Sequence, residues 1–350
     1  MQSKVSKLLW YIILSMRSKK IKTFYTPKQV LENDKTSNYS KSPLKPKLLL
    51  AYLKQKKLLG NFSITDDFKP FTKTDFRMAH HKSYVDDFFN GTGLCSSNSL
   101  AWSKQFAESI KYTNSSLYSA IRNSIVNPKQ VSFSPTSGFH HARPSGGSGF
   151  CTFSGQVIAS LKIYNEFELS GAYLDLDGHF GNSIEDSRAF CKKLNKAVPL
   201  NFNINPQGYD SDYLADLAKW LERLKYAILT DRIHYVVWCH GADSHADDNL
   251  GRQCDTEHWI ACSTLFWKWV KEMDGLLGRP LPVSCALFGG YRDDDYNSVL
   301  SLHTGDFVEC FKELLEVDVK YTIEVSPRQK IGYGDGTRLY RKRRIVDQEV

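Results

Sequence analysis

The sequence predicts an α/β fold of three layers, with a mostly parallel central sheet covered by helices on both faces. Two observations carry that prediction. Strand and helix patterns alternate through the later part of the 350-residue chain. The strand patterns are nearly unbroken apolar runs, as expected of strands buried on both faces. With 41% hydrophobic residues the chain can also bury a full core, which excludes a disordered protein.

Taken in order, residues 23–25 form a short strand and residues 48–59 a helix, and the pattern becomes globular from about Ile64. Residues 103–125 carry Phe106, Ile110, Leu117, Ile121 and Ile125 at helical spacing, and a Ser/Gly/His-rich loop follows over 132–149. A helix over 151–167 leads to a strand over 172–177. Ser183 and Asp186 suit a capping box for a helix running to about Lys196. A strand over 198–204 precedes an amphipathic helix over 211–227, with Leu214, Leu217, Trp220, Leu221 and Leu224 on one face. The remaining elements are a strand at 233–239, a helix at 256–273, a strand at 281–288 and a helix at 306–315. From Tyr321 onward the chain reads as a flexible basic tail.

The net charge of +8 is unevenly distributed. Residues 1–60 hold fourteen Lys/Arg against two acids, and residues 319–350 hold eight against four. The middle, 61–318, carries 24 basic and 32 acidic residues, so it is acidic. This predicts a basic extension over 1–21, one folded domain over 22–318 and a basic tail over 319–350. Nucleic acid or an acidic protein could be partners only through those ends. No apolar run approaches the roughly 20 residues of a membrane helix. The short run from Leu8 to Leu14 lacks a cleavage site after it, so it does not read as a signal peptide, and Met16 is an alternative start. Eight cysteines without CxxC spacing, several in apolar runs, predict reduced thiols in a cytoplasmic protein.

Sites in open α/β sheets form where strands end. After the strand at 172–177, the period of two puts Asp175, Asp177 and His179 on one side. After the strand at 233–239 comes Asp243, and after the strand at 281–288 comes Gly289-Gly290-Tyr291. His140 and His141 stand side by side in the upstream loop. One Asp–His–Asp set with an open coordination position can hold a divalent ion that polarises a carbonyl and acidifies water. An imidazole can then serve as base and acid, and a phenol can stabilise an oxyanion. Singly, each feature reads more simply as a cap, a turn or a packed histidine, as does the doublet His80-His81. Their occurrence together, each at a strand end or loop, favours a catalytic site.

Five segments carry a resemblance to a known family: Gly138-Phe139-His140-His141-Ala142, Gly149-Phe150-Cys151, the run from Asp175 to Asn182, the run from Gly241 to Gly251, and Gly289-Gly290-Tyr291. In this order they resemble the signature of the histone deacetylase superfamily, with its arginase/deacetylase fold. The run Gly241 to Gly251 is closest to the class II and bacterial amidohydrolase branch. The resemblance implies that Asp177, His179 and Asp243 bind Zn²⁺, and it leaves room for K⁺ as a structural ion. It implies that His141 is the general base and acid, with His140 as an electrostatic partner. Asp175 would orient His140 and Asn182 would orient His141, an Asn there leaving His141 less basic. Tyr291 would hold the oxyanion. Phe150 would wall a narrow channel beside Gly149, where a side chain would narrow it.

The departures from the family pattern are local. The segment from Lys192 to Gly208 is short, leaving Phe202 or Tyr209 as candidates for a second channel wall. Cys239 and His240 replace apolar residues and read as packing. The run Arg292-Asp293-Asp294-Asp295 fits either attraction of cations or a helix start. The implied activity is removal of an acyl group, first of all acetyl, from lysine side chains or related alkyl amines. An acetylpolyamine deacetylase is an alternative, as is a catalytically weak metal-containing binding module whose basic tails dock elsewhere.

Overall fold

The computed structural model describes residues 17–31 and 40–328; the run Leu8–Leu14, Met16 and most of the basic tail lie outside the described residues. Seven strands make one sheet in which every pairing is parallel: β1 (Ile21–Phe24), β2 (Phe62–Thr65), β3 (Ser132–Ser134), β4 (Gly171–Asp175), β5 (Asn203–Ile204), β6 (Tyr235–Cys239) and β7 (Val283–Ala286). Their order across the sheet is β2-β1-β3-β7-β6-β4-β5. The principal helices are α1 (Lys45–Gln55), α2 (Lys82–Asn90), α3 (Lys104–Val126), α4 (Gly155–Phe167), α5 (Asp210–Leu229), α6 (Thr256–Leu277) and α7 (Tyr296–Glu309).

Two apolar cores, one on each face, follow from the alternation of side chains along the central strands. Ala172, Leu174, Val236 and Trp238 pack with α1, α5, α6 and α7. Tyr173, Tyr235, Val237 and Cys239 point the opposite way, onto α3 and α4. Trp238 lies flat against Phe266 of α6, ring centroids 4.0 Å apart at 4°, and its Nε1–H donates to Asp306 at 2.9 Å. This is the three-layer parallel architecture expected from the sequence. No helix among the described residues is long and apolar enough to cross a membrane.

Several boundaries differ from expectation. β3 occupies the start of a stretch read as loop, since three residues give too short a pattern to register. The helix expected over 182–196 is two short pieces, Ser183–Ser187 and Leu194–Ala197. The strand expected over 198–204 shrinks to β5, because Pro199 and a left-handed Asn201 (φ +71) turn the chain first. The helix expected from residue 306 begins ten residues earlier, at Tyr296. From Ser298 to Glu309 every residue of α7 is buried, so that stretch lacks the polar face that marks an amphipathic helix.

Both ends of the described chain are tied down. The Arg17 guanidinium is buried and donates twice to Asp274, at 2.6 and 2.7 Å, and once to the Leu281 carbonyl at 2.8 Å. At the other end, residues 321–328 run along α7. The N–H groups of Glu324 and Ser326 reach Ser301 and Ser298, and Arg328 N–H donates to Asp247 at 3.3 Å. Breaking a buried ion pair leaves an uncompensated charge. Asp274→Ala is therefore expected to destabilise the domain by about 3–5 kcal/mol in urea denaturation. A change below about 1 kcal/mol would mean that the Arg17 contact contributes no more than a surface pair.

Candidate active site

The site lies at the carboxyl ends of β4, β6 and β7, which remain stitched together beyond their last paired residues. Leu176 N–H donates to Cys239 O at 2.9 Å and Gly241 N–H to Leu176 O at 3.2 Å. Ala242 N–H reaches Gly289 O at 3.0 Å, and Gly289 N–H reaches the Asp177 carboxylate at 2.9 Å. Leu287 N–H donates to Thr136 O at 3.0 Å, which draws the loop after β3, with His140 and His141, against the end of β7. A Cβ at Gly289 would collide with the Asp243 carboxylate, so only glycine allows this close approach.

Asp177, His179 and Asp243 converge, with ligand-type atoms all within 4.8 Å of one another. His179 Nδ1 lies 3.1 Å from Asp177 Oδ1 and 3.1 Å from Asp243 Oδ2. Both carboxylates are buried. Burial raises the Asp243 carboxyl to about 7, with the Asp177 charge adding to the effect. Burial opposes protonation of His179, but hydrogen bonds to Asp177 and Asp243 carry it to about 11. Such a buried, oxygen-rich set attracts positive charge. One nitrogen and two carboxylate oxygens this close fit a single ion at the roughly 2.0–2.2 Å bonds that zinc makes with these donors. A second Asp–Asp–His group, Asp210, Asp255 and His258, is largely exposed, and its hydrogen bonds are those of the α6 helix cap.

The two loop histidines are held differently. His140 Nδ1–H donates to Asp175 Oδ2 at 3.0 Å, and its Nε2 lies 3.6 Å from Asp177. Burial works against its charge, yet Asp177 and Asp175 lift the imidazole to about 9. His141 Nδ1–H donates to Asn182 Oδ1 at 2.8 Å, leaving Nε2 free to accept a proton. Asn182 is itself oriented by donating from Nδ2 to Asp186 at 2.5 Å. Burial, reinforced by the neighbouring charge of His140, lowers His141 to about 4. The two rings stand 4.0 Å apart, and the His141 ring lies 6.0 Å from that of His179.

Tyr291 also stands beside this group. Its ring centroid is 6.4 Å from His179 and 5.6 Å from Phe150. Burial, with Asp177 and Asp243 nearby, holds its hydroxyl well above the usual phenol range, so it stays a donor. Gly149 takes a left-handed φ of +50, and a Cβ there would sit 2.7 Å from the His141 ring. A side chain at Gly149 would thus disturb His141 as well as narrow any channel.

All ten residues named from the sequence fall in this one region. His240 is buried, stacks on Trp259 at 3.7 Å and shares a hydrogen bond with Ser263, so it packs as expected. His80 accepts Ser154 N–H at 2.9 Å inside the core, a structural role. Arg292 is buried and paired with Asp294 at 2.7 Å, while Asp295 caps α7, which favours the helix-start reading of that run. Phe202 is in the core and does not line the site, and Tyr209 is 59% exposed.

Two residues of the site were not singled out. Asp248, inside the Gly241–Gly251 run, accepts Tyr291 N–H at 2.7 Å. Lys45 reaches Phe288 O from α1 and lies within electrostatic range of Asp243, Asp177 and Asp248, and burial drops its ammonium to about 8. Nothing in its Lys-rich surroundings distinguishes Lys45 from a surface lysine.

A family model described as "Histone deacetylase domain" matches residues 39–193, a stretch holding His140, His141, Asp175, Asp177, His179 and Asn182. Over that stretch, somewhat under half of its length, the chain is similar to the histone deacetylase family. The chain is 29% identical over 178 residues to an uncharacterized protein of Picosynechococcus sp., covering 46% of this chain and 56% of that one. It is 37% identical over 57 residues to Histone deacetylase 8 of Xenopus laevis, 16% of this chain and 17% of that one. The matched stretches therefore fall short of two thirds of either relative. The crystal structure of the HDA15 HD domain superposes with a TM-score of 0.64 over 87% of this chain and 91% of that chain, at 16% identity. That likeness establishes the fold.

Proposed function

We propose that this chain is a zinc-dependent amide hydrolase of the class II/bacterial type, removing acetyl groups from lysine side chains or related alkyl amines. The observation that carries this reading is the placement of both His141 and Tyr291 beside His179, at 6.0 and 6.4 Å between rings. Asp177, His179 and Asp243 are the residues that would hold the metal. Zn²⁺ bound there supplies carbonyl polarisation and a lowered pKa for water.

The chain's own residues do the rest. His141, neutral above about pH 4 and with Nε2 free, takes a proton from the attacking water and returns it to the leaving amine. Tyr291 donates its hydroxyl to the oxygen that gains charge. His140, charged beside Asp175, adds positive potential to the developing anion. Phe150, 5.6 Å from Tyr291, offers an apolar wall for an alkyl chain. The eight unpaired cysteines support work in a reducing compartment such as the cytoplasm.

A panel of acetyl-lysine peptides, acetylpolyamines and longer acyl-lysines tests the proposal on protein with measured metal content. About one zinc per chain is expected. Tyr291→Phe is expected to lower kcat roughly 10²–10³-fold, as for loss of one oxyanion donor, with metal retained. Metal-loaded wild-type protein that is inert on the whole panel would instead favour a binding module.

A further inference from the structure

Lysine is among the residues least often fully buried. Lys45, in the first turn of α1, is 1% exposed, and its ammonium donates to the carbonyl of Phe288. Phe288 is the residue before Gly289-Gly290-Tyr291, and its backbone takes φ +61. That left-handed conformation is uncommon for an aromatic residue and persists only where its surroundings over-determine it. Gly290 follows at φ +142.

The rest of the turn is held by other groups. Gly289 N–H bonds Asp177, Gly289 O accepts from Ala242, and Tyr291 N–H bonds Asp248 at 2.7 Å. These bonds fix residues 289 and 291 and leave the Phe288 carbonyl to Lys45. A cation suits this position because Asp177, Asp243 and Asp248 lie within its electrostatic reach. A neutral donor would hold the carbonyl without offsetting that charge.

We infer that Lys45 is a positioning residue for Tyr291, holding the Phe288 carbonyl and with it the left-handed turn that delivers the phenol to the site. The inference rests on the proposed role of Tyr291, and the test separates the two. Lys45→Met and Lys45→Arg are made in the full chain, each with Tyr291 intact and with Tyr291→Phe. The readouts are kcat and KM on an acetyl-lysine peptide, and calorimetric affinity for an alkyl hydroxamate, a metal-binding probe whose carbonyl can accept from the phenol.

With Tyr291 present, Lys45→Met is expected to lower kcat about 10–100-fold while KM moves less than about threefold, the signature of a misplaced group. Lys45→Arg recovers most of the loss. In the Tyr291→Phe background, Lys45→Met costs less than about threefold, because the group it positions is gone. Hydroxamate affinity follows the same pattern. Equal losses in both backgrounds, or no loss in either, overturn the inference. If Lys45→Met does not fold, Lys45→Gln in the two backgrounds carries the same comparison. Wild-type protein without hydrolase activity overturns the proposed function, while the hydroxamate cycle still decides the role of Lys45.

Discussion

Asp243→Ala is expected to take metal content from about one ion per chain to near none, and amide hydrolysis to background. Asp243 is buried at the end of β6, and its two oxygens face Gly178 N–H and His179 Nδ1 at 3.0 and 3.1 Å. Removing it leaves two of three donors. A ligand that binds only the folded state stabilises it, by about 2.7 kcal/mol at a hundredfold excess over Kd. Added zinc should therefore raise the melting temperature of the wild type and leave that of Asp243→Ala unmoved. A variant that still takes up one ion per chain would remove Asp243 from the ligand set.

His141→Ala is expected to cost roughly 10²–10⁴ in kcat while metal content stays unchanged, the range for loss of a general acid–base group. The pH profile carries a sharper expectation. His141 is held low, at about 4, by burial and by charge on His140. The base form then exists above that value, so the acidic limb of kcat/KM rises through about pH 4 and levels off toward neutrality. Asn182→Asp would place a carboxylate on His141 Nδ1–H, favour the charged imidazole and move the limb to higher pH. A limb that stays in place in this variant would mean that a different group sets the profile.

Much of this arrangement was legible from the residues themselves. Asp175, Asp177 and His179 were placed together by strand periodicity, but β4 ends at Asp175, and it is the bend after it that brings Asp177 and His179 to the strand end. Asn182 could be assigned to His141 through the family resemblance; the two side chains lie 2.8 Å apart. Lys45 was not legible, because burial of a lysine depends on a distant carbonyl and three distant carboxylates, none of which local sequence encodes. α7 was half missed for the converse reason: its stretch from Ser298 to Glu309 is buried all round and has no polar face. Phe202 failed as a channel wall because Pro199 and Asn201 turn the chain and send its ring into the core.

Of the eight free thiols, seven are buried and only Cys95 is partly exposed. Its neighbours lead directly to Phe150. Ser97 Oγ accepts Gly147 N–H at 2.9 Å, and Asn98 O accepts Phe150 N–H at 3.0 Å. A thiol-directed fluorophore should therefore attach at one place in the native protein, without prior removal of other cysteines. It would sit on the loop that holds Phe150, so the protein carries a built-in handle for watching ligand entry optically.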